Sequence, residues 1–117
     1  PSMASEFAPF ENVIGRLIQD PEIKSVGDGQ VARLAVSKRT GFKKDGDKYD
    51  PSDVYRIDVW DGDRDFQRRL FDGVTSLRKG QLVGAEVVAK KSGEYTNYRA
   101  WNVWRVIDIE PDESEDI

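Results

Sequence analysis

Residues 53–60 read "DVYRIDVW", and they alternate as a strand should. Successive side chains of a strand point to opposite faces. Tyr55, Ile57 and Val59 therefore share one face, suited to a core, while Val54, Arg56, Asp58 and Trp60 share the other. An arginine and a tryptophan on the outward face of a strand need a reason. Trp60 is either covered by another element or offered to a partner.

The rest of the chain bounds the answer. It has 117 residues, enough for one domain, and 38% of them are apolar, enough for one modest core. There is no cysteine, which excludes disulfides and thiolate chemistry and suits a reducing compartment. There is no histidine, which removes the Ser-His-Asp and Cys-His mechanisms and the commonest transition-metal ligand. No apolar run approaches the roughly 18 residues of a membrane-spanning helix, and no signal peptide is visible. The opening "PSM" is read as a remnant before a native start at Met3, and residues 1–9 are expected to be flexible.

The net charge of −4 argues against nucleic acid only until its distribution is considered. Six of the 22 acids lie in the last ten residues, "DIEPDESEDI", leaving 16 acids against all 18 bases in the body. Residues 110–117 are expected to form a disordered acidic tail. A body this weakly basic needs a local site if it is to bind an anion.

Outward from the opening stretch, "FENVIGRLI" (10–18) reads as a first strand interrupted by Gly15, the mark of a bulge or sharp bend. "QDPE" (19–22) breaks it, because Pro21 cannot continue a central ladder, and "VGDGQ" (26–30) is a turn. "VARLAVSKR" (31–39) is a clear strand with Ala32, Leu34 and Val36 on one side and Arg33, Ala35, Ser37 and Arg39 on the other. "TGFKKDGDKYDPS" (40–52) is a polar loop. In "DRDFQRRLFDG" (63–73) the period becomes helical: Phe66, Leu70 and Phe71 form a core stripe, Asp63 caps the start and Gly73 ends it. "QLVGAEVVAK" (81–90) is a strand, "KSGE" (91–94) a hairpin connection, and "YTNYRAWNVWRVIDI" (95–109) a long last strand. Five strands with one helix after the third predict a mainly β fold over residues 10–109, the OB-fold, a five-stranded Greek-key barrel. Gly15 would let the first strand bend across both sheets.

In that barrel the parity puts Arg33, Ser37, Arg39, Arg56 and Trp60 on one outer surface. The loop after the second strand adds Phe42, Lys43, Lys44, Lys48 and Tyr49, and the last hairpin adds Lys90, Lys91, Tyr95 and Tyr98. Single-stranded nucleic acid needs this mixture, because cations track phosphates and flat rings stack on unpaired bases. A plainer reading stays open: the bases solubilise the barrel, and Trp60 packs under the helix or a subunit interface. Trp101 and Trp104, three apart on one strand, should have opposite parity, one inside and one outside.

Five stretches, in order over residues 11–108, resemble the bacterial and phage single-stranded DNA-binding protein family. They are "NVIGRLIQDPEIK" (12–24), "VARLAVSKR", "SDVYRIDVWDG" (52–62), "LRKGQLVGAEVVAK" (77–90) and "GEYTNYRAWNV" (93–103). The resemblance implies that Arg56 faces DNA, that Trp60 sits where the family has a base-stacking phenylalanine, and that Phe42 falls near a stacking tryptophan. It also implies a homo-oligomer, tetramer or dimer, paired through the first strands. Val54 stands where the family often has its main stacking tryptophan, and Lys90, Lys91 and Ser92 stand where another is expected. The family's Gly- and Pro-rich linker and its tip ending in Pro-Phe are missing; the acidic "PDESEDI" follows instead.

"DGDRDF" (61–66) begins like a calcium loop, but Phe66 replaces the glycine at the sixth position and Asp72 the glutamate at the twelfth, so these acids are assigned to the helix start. No metal, cofactor or catalytic residue is expected. The expected function is largely sequence-independent binding of single-stranded DNA in replication, recombination or repair, by a cytoplasmic, nucleoid-associated protein with replication or repair partners and no membrane contact. The alternative is an OB-fold protein-interaction module of a replication or phage assembly, with a degenerate DNA face.

Overall fold

The computed structural model describes residues 10–107, so the predicted flexible segment 1–9 and acidic tail 110–117 lie outside the described residues. Six strands and one helix follow in the order β1 (Glu11–Leu17), β2 (Glu22–Val26), β3 (Gly29–Arg39), β4 (Ser52–Trp60), α1 (Asp65–Thr75), β5 (Leu82–Ser92) and β6 (Tyr95–Arg105). They form one sheet in the order β1-β5-β6-β4-β3-β2, and β1 also pairs with β3, which closes the ring. All pairings are antiparallel except β4 with β6, where Ile57 lies opposite Tyr98 and Asp58 opposite Arg99. This is the predicted OB barrel with one helix between its third and fourth principal strands.

Closure depends on β1 changing partners. Glu11 to Arg16 pair with β5, and Arg16 and Leu17 pair with β3. Gly15 sits at the crossing, where an added Cβ would run into the backbone carbonyl of Ser37. A side chain there would push the two strands apart, so the bend needs glycine.

The extra strand, β2, is exposed at all five positions. With nothing buried, it leaves no period-2 signal in the sequence. Among the described residues it pairs only with β3, through a turn at Gly27, whose φ of 60° favours glycine, and it extends β3 back to Gly29. The helix also differs from expectation. It starts two residues late, capped by Arg64 and Gln67 rather than Asp63: the Gln67 side chain accepts from the Arg64 N–H at 3.3 Å. Gly73 lies within it, and Ser76 ends it. Its buried face is Phe71 and Val74, with Leu70 beside them, whereas Phe66 is 43% exposed.

The barrel interior holds Val13, Leu17, Leu34, Val36, Ile57, Val59, Val83 and Val87, with α1 covering one end through Phe71 and Val74. Each fully buried aliphatic side chain contributes about 1.5–3 kcal/mol. On β4, Ile57 and Val59 are fully buried and Tyr55 packs against the core, as the alternation requires. On β3, Ala32, Leu34 and Val36 are buried, but so are Val31 and Ala35, so the outward position expected for Ala35 is covered; Arg33 and Ser37 are half-buried and Arg39 is exposed.

Candidate nucleic-acid interface

The register of the strands arranges the residues of the outer side in rows, in which Val31 and Ala35 are themselves buried. Across β3 and β4, Val31 lies opposite Trp60, Arg33 opposite Asp58, Ala35 opposite Arg56, Ser37 opposite Val54, and Arg39 opposite Ser52. The parallel pairing of β4 with β6 adds Arg99 beside Asp58, and β2 adds Glu22 beside Arg33. One continuous outer face thus runs over β3, β4 and β6. Its outward positions hold four arginines (Arg33, Arg39, Arg56 and Arg99) and one carboxylate, Asp58. The face is basic although the chain is not.

The four arginines are not equivalent. Arg33 Nε donates to Asp58 Oδ1 at 3.0 Å. Arg39 lies 3.6 Å from Asp50, with its guanidinium over the Phe42 ring at 4.7 Å. Arg99 lies over the Trp101 ring at 4.4 Å. Arg56 is exposed and, among the described residues, has no carboxylate within ion-pair reach.

At one end of the face is the loop of residues 40–51. It is closed at its base by the Thr40 N–H donating to the Pro51 carbonyl at 2.9 Å. Within it, the Lys43 N–H donates to the Asp50 carboxylate at 2.7 Å and the Lys44 N–H to that of Asp47 at 3.2 Å. Three lysines here are matched by three aspartates, so the loop is electrically neutral, which the count of its bases alone concealed. It offers Phe42, 76% exposed, followed by the exposed Lys43 and Lys44. The β5–β6 hairpin at the same end brings Lys90 opposite Asn97, and Tyr95, 76% exposed.

Ten of the eleven predicted site residues are exposed or half-buried around this face: Arg33, Ser37, Arg39, Phe42, Lys43, Lys44, Arg56, Trp60, Lys90 and Tyr95. The structure turns Tyr98 the other way. Its ring packs on the core with its centroid 4.9 Å from that of Tyr55. Alternation along β6 puts Tyr98 and Ala100 inside and Asn97 and Arg99 outside. Burial pushes both tyrosine pKa values up, with the Glu11 charge adding to it; the Tyr55 hydroxyl donates to Glu11 at 3.4 Å.

The tryptophan prediction needs a second correction. Trp101 and Trp104 are each 38% exposed, not one inside and one outside. The register of β6 against β5 skips at this point: Ala100 lies opposite Val87 and Asn102 opposite Glu86, leaving Trp101 as an extra, unpaired residue. Such a bulge shifts the parity of everything beyond it. Trp101 joins Arg99 on the face described above, while Trp104 lies on Gly84, where an added Cβ would strike its ring. Arg99 is the member of the face that sequence reasoning missed, and the β4–β6 register places it beside Asp58; between Trp101 and Trp104 the sequence left the outward one open.

No known family profile matches the sequence, and no curated protein does. Solved structures do. The second single-stranded DNA-binding protein of Mycobacterium smegmatis matches with a TM-score of 0.60 at 21% identity, over 90% of this chain and 100% of that one. The Plasmodium falciparum single-stranded DNA-binding protein, solved in complex with single-stranded DNA, matches with a TM-score of 0.59 at 18% identity, over 84% and 94%. The mitochondrial single-stranded DNA-binding protein of S. cerevisiae matches with a TM-score of 0.62 at 15% identity, over 88% and 98%. At these identities the likeness is one of fold, and the chain has the OB fold that these three single-stranded DNA-binding proteins share.

Proposed function

We propose that this chain binds single-stranded DNA, without catalysis and with little sequence preference, and that it serves replication, recombination or repair in the cytoplasm or nucleoid. The observation that carries the reading is the outer face of β3, β4 and β6. It combines four arginines with Trp60, Trp101, Phe42 and Tyr95 on an open surface. Cations there meet phosphates, and rings stack on bases of any kind. An open face admits a flexible strand whose bases are splayed out, whereas a stiff duplex hides its bases. Among the described residues no helix is long and apolar enough to cross a membrane.

A homo-oligomer, dimer or tetramer, is part of the proposal. Among the described strands, β1 pairs with β3 only at Arg16 and Leu17, so Glu11 to Gly15 keep an open edge on that side. Phe10 and Ile14 are exposed beside it. An edge of this kind pairs readily with a second copy.

The protein-interaction module remains the second reading. Val54 in the middle of the face, the closed Arg33–Asp58 pair and the neutral loop all favour it. Titration with oligo(dT), followed by tryptophan fluorescence, separates the two. Saturable quenching that an equal-length duplex does not produce supports the DNA binder. Unchanged fluorescence and no retardation of the oligonucleotide supports the interaction module.

A further inference from the structure

Asp58 is the one carboxylate that β3, β4 and β6 turn toward the proposed DNA face. It stands in the central row, between Arg33 on β3 and Arg99 on β6. Its side chain is 18% exposed and that of Arg33 36%, so the pair is partly shielded from water and from salt. Arg33 has a second acid, Glu22, as its neighbour on β2. Arg99 is not drawn to Asp58; its guanidinium lies on the Trp101 ring. The row therefore presents one closed ion pair and one stacked cation. Arg56 lies a single pleat away, with no carboxylate in reach among the described residues.

Resting on the single-strand-binding reading above, we infer that Asp58 is the affinity-setting residue of the face: it holds Arg33 away from the phosphates. The strand is then gripped by Arg56 and the cations of the loop and hairpin at one end, and by Trp60 and Trp101 at the other. Counting Glu22 with Asp58 against Arg33 and Arg99, the central row carries no net charge and is crossed by bases rather than by backbone. A guanidinium already bonded to a carboxylate must break that bond before it can serve a phosphate, and the partly shielded carboxylate then repels the phosphate that replaced it. The arrangement keeps the complex weaker than four free arginines would make it and less sensitive to salt. A protein that must release single strands to later enzymes benefits from both.

The test uses the full chain and oligo(dT). In the wild-type protein, the Arg56 Nε–H resonance shifts on binding and that of Arg33 stays in place; an equal shift at Arg33 overturns the inference. Asp58→Asn frees Arg33 to take a phosphate. Affinity should then rise roughly tenfold at low salt, the scale of one charge-assisted contact. The salt slope should steepen by about 0.7, the increment for one added single-strand phosphate contact. Adding Arg33→Gln to Asp58→Asn should return the slope to the wild-type value. If the slope stays steep in the double variant, loss of negative charge alone explains the gain and the inference fails. It fails equally if Asp58→Asn, with an unchanged melting temperature, leaves affinity and slope as they were. If the wild-type chain does not bind oligo(dT) at all, the functional reading falls first.

Discussion

Two side chains carry most of the account at the scale of single residues. Trp60 reaches the outer face because β4 alternates strictly and Ile57 and Val59 fill the core. Trp60→Ala should weaken single-strand binding by about 1–3 kcal/mol, the cost of one lost stack. Fluorescence anisotropy with a labelled oligonucleotide measures it, and unchanged affinity in a folded variant removes Trp60 from the site. Arg56→Ala should lower affinity and flatten the salt slope by about 0.7, because among the described residues this guanidinium has no carboxylate to neutralise. A fall in affinity at constant slope would mean that Arg56 acts through structure. The outward placement of both residues was legible in "DVYRIDVW". The state of Arg33 was not, because an arginine's free or paired condition depends on which residue a strand 25 positions away places opposite it.

Among the elements, those with a buried face were legible and those without one were not. β3 and β4 announce themselves because one side of each must be apolar. β2 buries nothing, so its sequence follows turn chemistry and edge pairing alone. The β6 bulge hid the true direction of Trp104, which unbroken alternation from Arg99 and Trp101 puts inside, since a parity argument fails once a residue is inserted. Gly15 was recognised as a bend, and its partner collision gives that bend a cost. Gly15→Ala should destabilise the fold by about 1–3 kcal/mol, as overpacking does, with the loss visible in urea unfolding. The Tyr55–Tyr98 pair at the barrel end gives a pH signature. Burial raises both pKa values above the ordinary tyrosine value, so the folded state holds these protons longer than the unfolded chain does. The resulting stability is fully present below about pH 10 and is lost as pH rises from there through the raised folded values. Thermal melts across this window should fall more steeply for the wild-type chain than for a Tyr55→Phe, Tyr98→Phe variant. Parallel curves would show that the pair does not govern alkaline unfolding.

At the scale of the whole molecule, charge placement matters more than net charge. A chain of net charge −4 presents a basic outer face because its acids concentrate elsewhere, six of them in the last ten residues. Deleting residues 111–117 should leave single-strand affinity unchanged or raise it, with any gain larger at low salt, where an anionic segment competes best for the same cations. A loss of affinity at both low and high salt would contradict this. The central claim is that single-stranded DNA lies on the face of β3, β4 and β6, and the three tryptophans report on it directly. Trp60 and Trp101 belong to that face, while Trp104 lies on Gly84. In the full chain, titration with oligo(dT) should shift the indole N–H resonances of Trp60 and Trp101 and leave that of Trp104 in place. A shift confined to Trp104, or equal shifts at all three, would place the strand elsewhere and contradict the account.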